Sequence, residues 1–448
     1  MRSLIKSNNG FSLIEIIIAL GIFSIVSTAL IMLLNSSLQI TRQNKISSGA
    51  LAIVQQKMEV IKNLAYSDVG TVGGIPNGEL LPTENVTANN VVYTVSTNIS
   101  YVDDPYDGLI SSGDLLNTDY KKVKIKVTWE SSASHTAPII FVTNIVPHDI
   151  EQAPSGDTGT LWLEVYDSTP TPLAEANVNI INNDVTPPIS ITGQTDINGQ
   201  FILPGAPVAT QNYQITISKE GYNSAQTYSE DLITNPHPDP AHLSVGKDAV
   251  TTKSFFINKL STLAITAKTY DTDTAIPGFS FTLTGNKSIG TNSEGAAIYN
   301  YQEQLTTDAS GQITLPDFSA DTYNITIDNL TTGYDFAGSN PNIPLILSPD
   351  SATNLVLYLA PHYSNTLLIT VKNPDGSVLA EATINLTTDD LVYNQTITSN
   401  ANGQAFFTPL NSGPYNLTIS KTGFQNYLSE INVENQTQQT ISLSVLPV

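Results

Sequence analysis

The chain contains no cysteine, which excludes disulfides, thiolate metal sites and cysteine nucleophiles. That absence does not fix a compartment, since a cysteine-free chain folds in any of them. Histidine is scarce as well. Five residues in 448 leave little material for imidazole catalysis. Charge is sparse at 13% and lopsided, with 18 Lys and Arg against 40 Asp and Glu and a net charge of −22. Such a chain lacks the basic face that a nucleic-acid backbone requires, so no nucleic acid is expected as a partner. A hydrophobic fraction of 40% is nevertheless too high for disorder. The length allows roughly two to four domains. Abundant Thr, Asn and Ser suit exposed antiparallel sheets better than a helical enzyme.

The N-terminus carries the sharpest signal. Met1 to Gly10 is a polar leader with two positive charges, Arg2 and Lys6. FSLIEIIIALGIFSIVSTALIMLL follows from Phe11 to Leu34, about 36 Å as a helix and enough to cross a bilayer core of ~30 Å. Positive charge in the leader keeps the start on the cytoplasmic side and sends the rest outward. A secretory signal would place small residues after the apolar run. Here Asn35, Ser36 and Ser37 follow it, and the small residue, Gly10, precedes it. One ionisable residue, Glu15, interrupts the run. A charge within a membrane helix costs about 2.5–3.5 kcal/mol at the centre and calls for a partner. Cleavage between Gly10 and Phe11 would create an amine one helical turn before Glu15, at the depth of such a carboxylate on a neighbouring helix. A Glu that merely snorkels to the headgroups is the plainer alternative.

Gly10-Phe11-Ser12-Leu13-Ile14-Glu15 and the apolar stretch after it resemble the type IV prepilin family. The resemblance implies cleavage after Gly10 by a membrane prepilin peptidase and N-methylation of Phe11. It also implies assembly with other pilin or pseudopilin subunits through the N-terminal helix, where Glu15 pairs with the Phe11 amine of an adjacent chain.

Beyond the membrane, Leu51, Val54, Met58, Ile61 and Ala65 recur at helical spacing and predict one apolar stripe on a helix running to about Ala65. Gly70, Gly73, Gly74, Pro76 and Gly78 stop it. A small sheet follows, with strands expected at 91–97, at Val123, Ile125, Val127 and Trp129 alternating with Lys124, Lys126 and Thr128, and at 139–143. This stretch resembles the heads of minor pilins and pseudopilins. Asp103, Asp104, Asp107, Asp114 and Asp119 cluster between strands. They offer either a calcium site or, more plainly, a solvated turn.

EQAPSGDTG from Glu151 reads as a linker, and three related segments follow. Each opens with an alternating strand, at 161–165, 263–267 and 367–371. A second strand follows in each, from Pro172, Ala275 and Val378, and then a polar turn ending at Gly199, Gly311 or Gly403. YQITISKEGY from Tyr213, YNITIDNLTTGY from Tyr323 and YNLTISKTGF from Tyr415 close the units. The unequal spacing of the turn glycines implies loop insertions. The segments resemble carboxypeptidase regulatory-like domains, a transthyretin-like β-sandwich family without catalytic residues of its own. Cna B-type domains, with Lys–Asn isopeptide bonds promoted by a buried acid, are a further comparison. Lys268 and Lys372 are the candidate lysines, but the strands at 215–218 and 417–420 carry no acid.

The expected fold is therefore an α+β pilin-like module with a long transmembrane helix and a small antiparallel sheet, followed by three all-β sandwiches. The expected division is leader 1–10, pilin-like domain 11–150 with its membrane helix at 11–34, linker 151–159, and sandwiches at 160–259, 260–361 and 362–448. No catalytic, cofactor or metal residue is expected; a His237/Asp239/His242 loop is the weak exception. The expected function is a minor pilin or pseudopilin anchored by a single pass in the cytoplasmic membrane. It would display β domains outside for adhesion. A polysaccharide- or peptide-binding accessory of a secretion machine is the alternative. Tyr166, Tyr228, Tyr299, Tyr301 and Tyr393 are the aromatic candidates for a surface glycan, and a protein ligand is equally compatible with the array.

Overall fold

The computed structural model describes residues 13–103, 118–130, 138–147, 157–389 and 392–446. The chain divides into two compact units. One comprises Met1–Thr160 with Thr186–Ile189 and Leu203–Pro207, and the other comprises the remainder.

In the first unit, helix α1 spans Leu13–Lys62, about 75 Å at ~1.5 Å per residue. Its first half is an apolar cylinder with Leu20, Ile22, Phe23, Ile25, Leu30 and Leu33 all exposed. Ser24 and Thr28 return their hydroxyls to the carbonyls of Leu20 and Ser24 at 2.8 and 2.7 Å, which satisfies these two polar groups within the helix. The second half turns one stripe onto a sheet. Ala50, Ile53, Val54, Met58 and Ile61 are buried. The expected stripe began one position too late: Leu51 is 44% exposed. α1 also ends at Lys62, so Ala65 lies beyond it. Ala65 is extended and precedes a 3-10 turn at Tyr66–Asp68.

The sheet has four antiparallel strands in the order β1 (Thr83–Ala88), β2 (Val91–Val102), β3 (Tyr120–Trp129) and β4 (Ile139–Ile145). β1 was not expected. It joins β2 through Asn89-Asn90, both at positive φ, the geometry of a two-residue hairpin. Tyr93, Val95, Ile99, Val123, Ile125 and Val127 form the inner face against α1.

In the second unit the β repeats are built on one plan. In the second repeat the opening strand Ser261–Thr269 lies between Gln312–Phe318, antiparallel, and Ala352–Pro361, parallel. In the third, Thr366–Lys372 lies between Gln404–Phe407, antiparallel, and Gln436–Ser442, parallel. A second sheet faces each, centred on Ser280–Gly285 and on Thr383–Thr387. In the first repeat the opening strand, Thr158–Tyr166, again lies beside a later strand, here Val250–Phe256.

Matching details recur at matching places. Asp196, Asp308 and Asn400 each accept, through Oδ1, from backbone N–H groups two and four residues on. The turn glycines that follow sit at φ +71, +73 and +71. At Gly199 and Gly403 a Cβ would stand 2.6 and 2.5 Å from the carbonyls of Val165 and Val371. Only glycine fits such a turn without strain. A buried hydroxyl clips the second strand in all three: Thr195 to the Leu173 carbonyl, Thr307 to Ile276 and Ser399 to Leu379. Each also accepts from a backbone N–H, of Ala176, Phe279 and Ala382.

The unequal glycine spacing has its cause in two insertions. His237–Pro238 from the first repeat pairs with a hairpin, Ser288–Thr291 and Ala297–Tyr299, from the second. The side-chain amide of Asn235 donates to the Ile289 carbonyl at 3.0 Å. The second and third repeats share a core instead. Leu368 and Phe406 of the third belong to the apolar cluster of the second, and Tyr270 meets Phe406 edge-on at 5.7 Å.

Candidate functional site

Gly10 and Phe11 lie outside the described residues. Glu15 is the third residue of α1, in its first turn and within the apolar half. Among the described residues one helix, α1, is long and apolar enough to cross a membrane by length and composition.

What fixes the head onto that helix is more specific than apolar burial. Tyr93 on β2 is buried, and its hydroxyl donates to the Ile46 carbonyl at 3.0 Å. Gly49 lies one turn along, and a Cβ there would stand 2.6 Å from the Tyr93 hydroxyl. Lys57 on α1 pairs with Glu84 on β1.

The sequence reading places Lys121 in the head segment but gives it no role of its own. It occupies an inward position of β3 and is 1% exposed. Its ammonium donates to the carbonyls of Tyr66 and Val69 at 2.6 and 2.7 Å and lies 4.4 Å from the centre of the Tyr66 ring. Burial pulls its pKa down to about 8, with Asp68 opposing. The same burial pushes the Tyr66 phenol up to about 12. Lys121 thereby closes the chain that leaves α1 onto the sheet. The signal was present in the alternation, since Lys121 stands in phase with Val123, Ile125 and Val127.

The other candidates resolve individually. Asp104, Asp107 and Asp114 lie outside the described residues; Asp103 follows β2 and Asp119 precedes β3. His237 is in the strand pair between the insertions. His242 Nδ1 lies 2.9 Å from the Thr227 hydroxyl, and burial holds its pKa low. Among the described residues no three His, Cys, Asp or Glu side chains gather to hold a metal. Lys268 pairs with Asp273 at 2.8 Å. Of the five tyrosines, Tyr299 alone is exposed. Tyr166 packs on Phe256, Tyr301 on Phe318 and Tyr323, and Tyr393 on Tyr415. The Tyr228 hydroxyl meets the Asn300 amide oxygen at 3.3 Å.

Residues 5–31 match the prokaryotic N-terminal methylation motif, and residues 366–445 match the carboxypeptidase regulatory-like domain. The chain therefore joins a type IV pilin N-terminus to a carboxypeptidase regulatory-like β domain. No curated protein matches it. Solved structures that resemble it include the TIE protein of Bacillus anthracis, at 14% identity over 80% of this chain and 72% of that one, with a TM-score of 0.19. A streptococcal ancillary pilin matches at 11% identity over 65% of this chain and 100% of that one, with a TM-score of 0.19. The shaft pilin SpaA of Lactobacillus rhamnosus GG matches at 16% identity over 46% and 98%, with a TM-score of 0.18. At such scores the likeness supports no conclusion about this chain. The motif and α1 together support a membrane-anchored, pilin-like surface subunit with its β domains outside.

Proposed function

We infer that the chain is a minor pilin or pseudopilin of a type IV pilus-like or type II secretion-like filament. A prepilin peptidase cuts after Gly10, Phe11 is N-methylated, and α1 packs among the helices of other subunits. Glu15 neutralises the new amine of a neighbour, which removes the cost of burying both charges separately. The β repeats, divided near residues 259 and 361, lie outside the membrane, and the chain acts as a structural subunit rather than an enzyme.

The observation that carries this reading is the methylation motif at residues 5–31 overlapping a 50-residue helix whose far half bears a folded head. The decisive experiment is co-expression with a prepilin peptidase, followed by filament isolation and scoring of Glu15→Ala. Processing should persist, because the scissile bond is untouched, while filament incorporation should fall at least tenfold. Equal incorporation would remove Glu15 from the account. Tyr301 and Tyr393 are half-buried against other aromatic rings, while Tyr166 and Tyr228 meet Phe256 and Asn300 at the surface. The array displays loops, where binding residues concentrate.

A further inference from the structure

Charge is distributed unevenly along this chain. Residues 158–448 hold 26 Asp and Glu against 8 Lys, which places most of the net negative charge in the β repeats. The outer face of the head sheet is the reverse. Lys122, Lys124 and Lys126 alternate with buried Val123, Ile125 and Val127, and all three are exposed. The register fixes their neighbours. Ser100, Asn98 and Ser96 of β2 stand opposite them on one side, and Asn144, Val142 and Ile140 of β4 on the other. β1 adds Thr83 and Asn85, opposite Ser96 and Thr94. No carboxylate belongs to this face among the described strand residues. Nor does any of the three ammonium groups have an ion-pair partner among the described residues, whereas Lys57, Lys259, Lys268 and Lys421 each meet a carboxylate. The row is about 14 Å long. Beside it Ile140 and Val142 are each 47% exposed on an edge strand.

We propose that this face docks the acidic β-repeat region of a second copy of the chain. A row of like charges about 7 Å apart gains from an anionic surface laid across it. The β repeats supply such a surface at one per head wherever the chains assemble. Ile140 and Val142 give the contact an apolar margin. Lipid headgroups fit less well. The apolar run ends at Leu34, and the sheet packs on Ala50–Ile61, roughly 24–40 Å further along α1. That is several times the ~8 Å screening length at physiological salt.

The inference rests on the reading that these chains assemble, and its test keeps the two apart. Full-length chains, unlabelled and 15N-labelled, are mixed in detergent and treated with a zero-length carbodiimide, which joins lysine amines to carboxylates. Lys122, Lys124 and Lys126 should couple to Asp and Glu of residues 158–446 in mixed-isotope pairs. Those pairs should fall at least tenfold in 1 M salt, and likewise in the triple variant Lys122→Ser/Lys124→Ser/Lys126→Ser. Coupling confined to same-isotope pairs, or none to the β repeats, would overturn the proposal. A single Ser36→Cys on exposed α1 provides the control. Helix-to-helix disulfide dimers without lysine coupling would refute this face alone. Absence of both would refute the assembly reading with it.

Discussion

The Tyr93 hydroxyl stands 2.6 Å from where a Cβ on Gly49 would lie, and it is held there by its bond to the Ile46 carbonyl. Helix and sheet meet at this point through the end of the Tyr93 side chain. Gly49→Ala should therefore loosen the head although alanine is the better helix former by about 1 kcal/mol. Overpacking a buried site costs about 1–3 kcal/mol. Tyr93→Phe removes the obstructing oxygen, so the double variant should recover most of the loss. Hydrogen exchange of the β2 amides reads the effect. A Gly49→Ala variant as protected as wild type would show that the contact yields freely.

The buried amine of Lys121 gives the head a pH dependence of calculable sign. Its folded pKa, about 8, lies below the ordinary lysine value of 10.5. The unfolded chain therefore binds the extra proton between these values, and stability rises with pH across that window. Above pH 10 the raised Tyr66 phenol acts in the opposite direction, because unfolding then releases its proton. Denaturant unfolding followed by Trp129 fluorescence should show the head gaining stability from pH 8 to 10. In Lys121→Met that gain should vanish, and stability at pH 7 should fall by about 1–3 kcal/mol as two buried carbonyls lose their donor. A pH-independent wild type would contradict the burial cost.

The buried hydroxyls of Thr195, Thr307 and Ser399 make the same pair of bonds in each repeat. Thr195→Val, Thr307→Val and Ser399→Ala should each cost about 1–3 kcal/mol, with the loss local to its own repeat for Thr195. Exchange mapped by repeat distinguishes this from three unrelated turns, for which the costs would scatter.

Phe406 belongs in sequence to the third repeat and in packing to the second. Nearby, Gln404 accepts from Ser339 N at 3.0 Å, and the buried Asp335 carboxylate holds His362 Nδ1 at 2.7 Å and Tyr363 N at 2.8 Å. Phe406→Ala should cost about 3–5 kcal/mol and lower the melting of both repeats together. A loss confined to the third repeat would show that the shared core does not couple them.

The sequence disclosed what alternation and spacing encode directly. The strand phases at Val123–Val127, the threefold turn glycines and the apolar start of α1 all follow from local period. It disclosed less where one residue type plays against its kind. Lys121 reads as a surface lysine like Lys122, yet its phase and two unpaired carbonyls turn it inward. Leu51 reads as core, yet the stripe is set by Gly49 and Tyr93, which put Ala50 and Ile53 inward instead. Phe406 and Leu368 face a neighbouring repeat, and no single-repeat pattern shows that. The insertion at His237–Pro238 carries no strand signal because its partner, Gly290–Thr291, is over fifty residues away.

The central claim is that this chain enters the membrane as a prepilin and leaves processing as a pilin-like subunit. Mass spectrometry of the N-terminal peptide, from protein extracted from membranes that contain a prepilin peptidase, tests it most directly. The account predicts a chain that begins at Phe11 and carries an N-methyl group. An intact Met1, or a new terminus near Ser36, would contradict it.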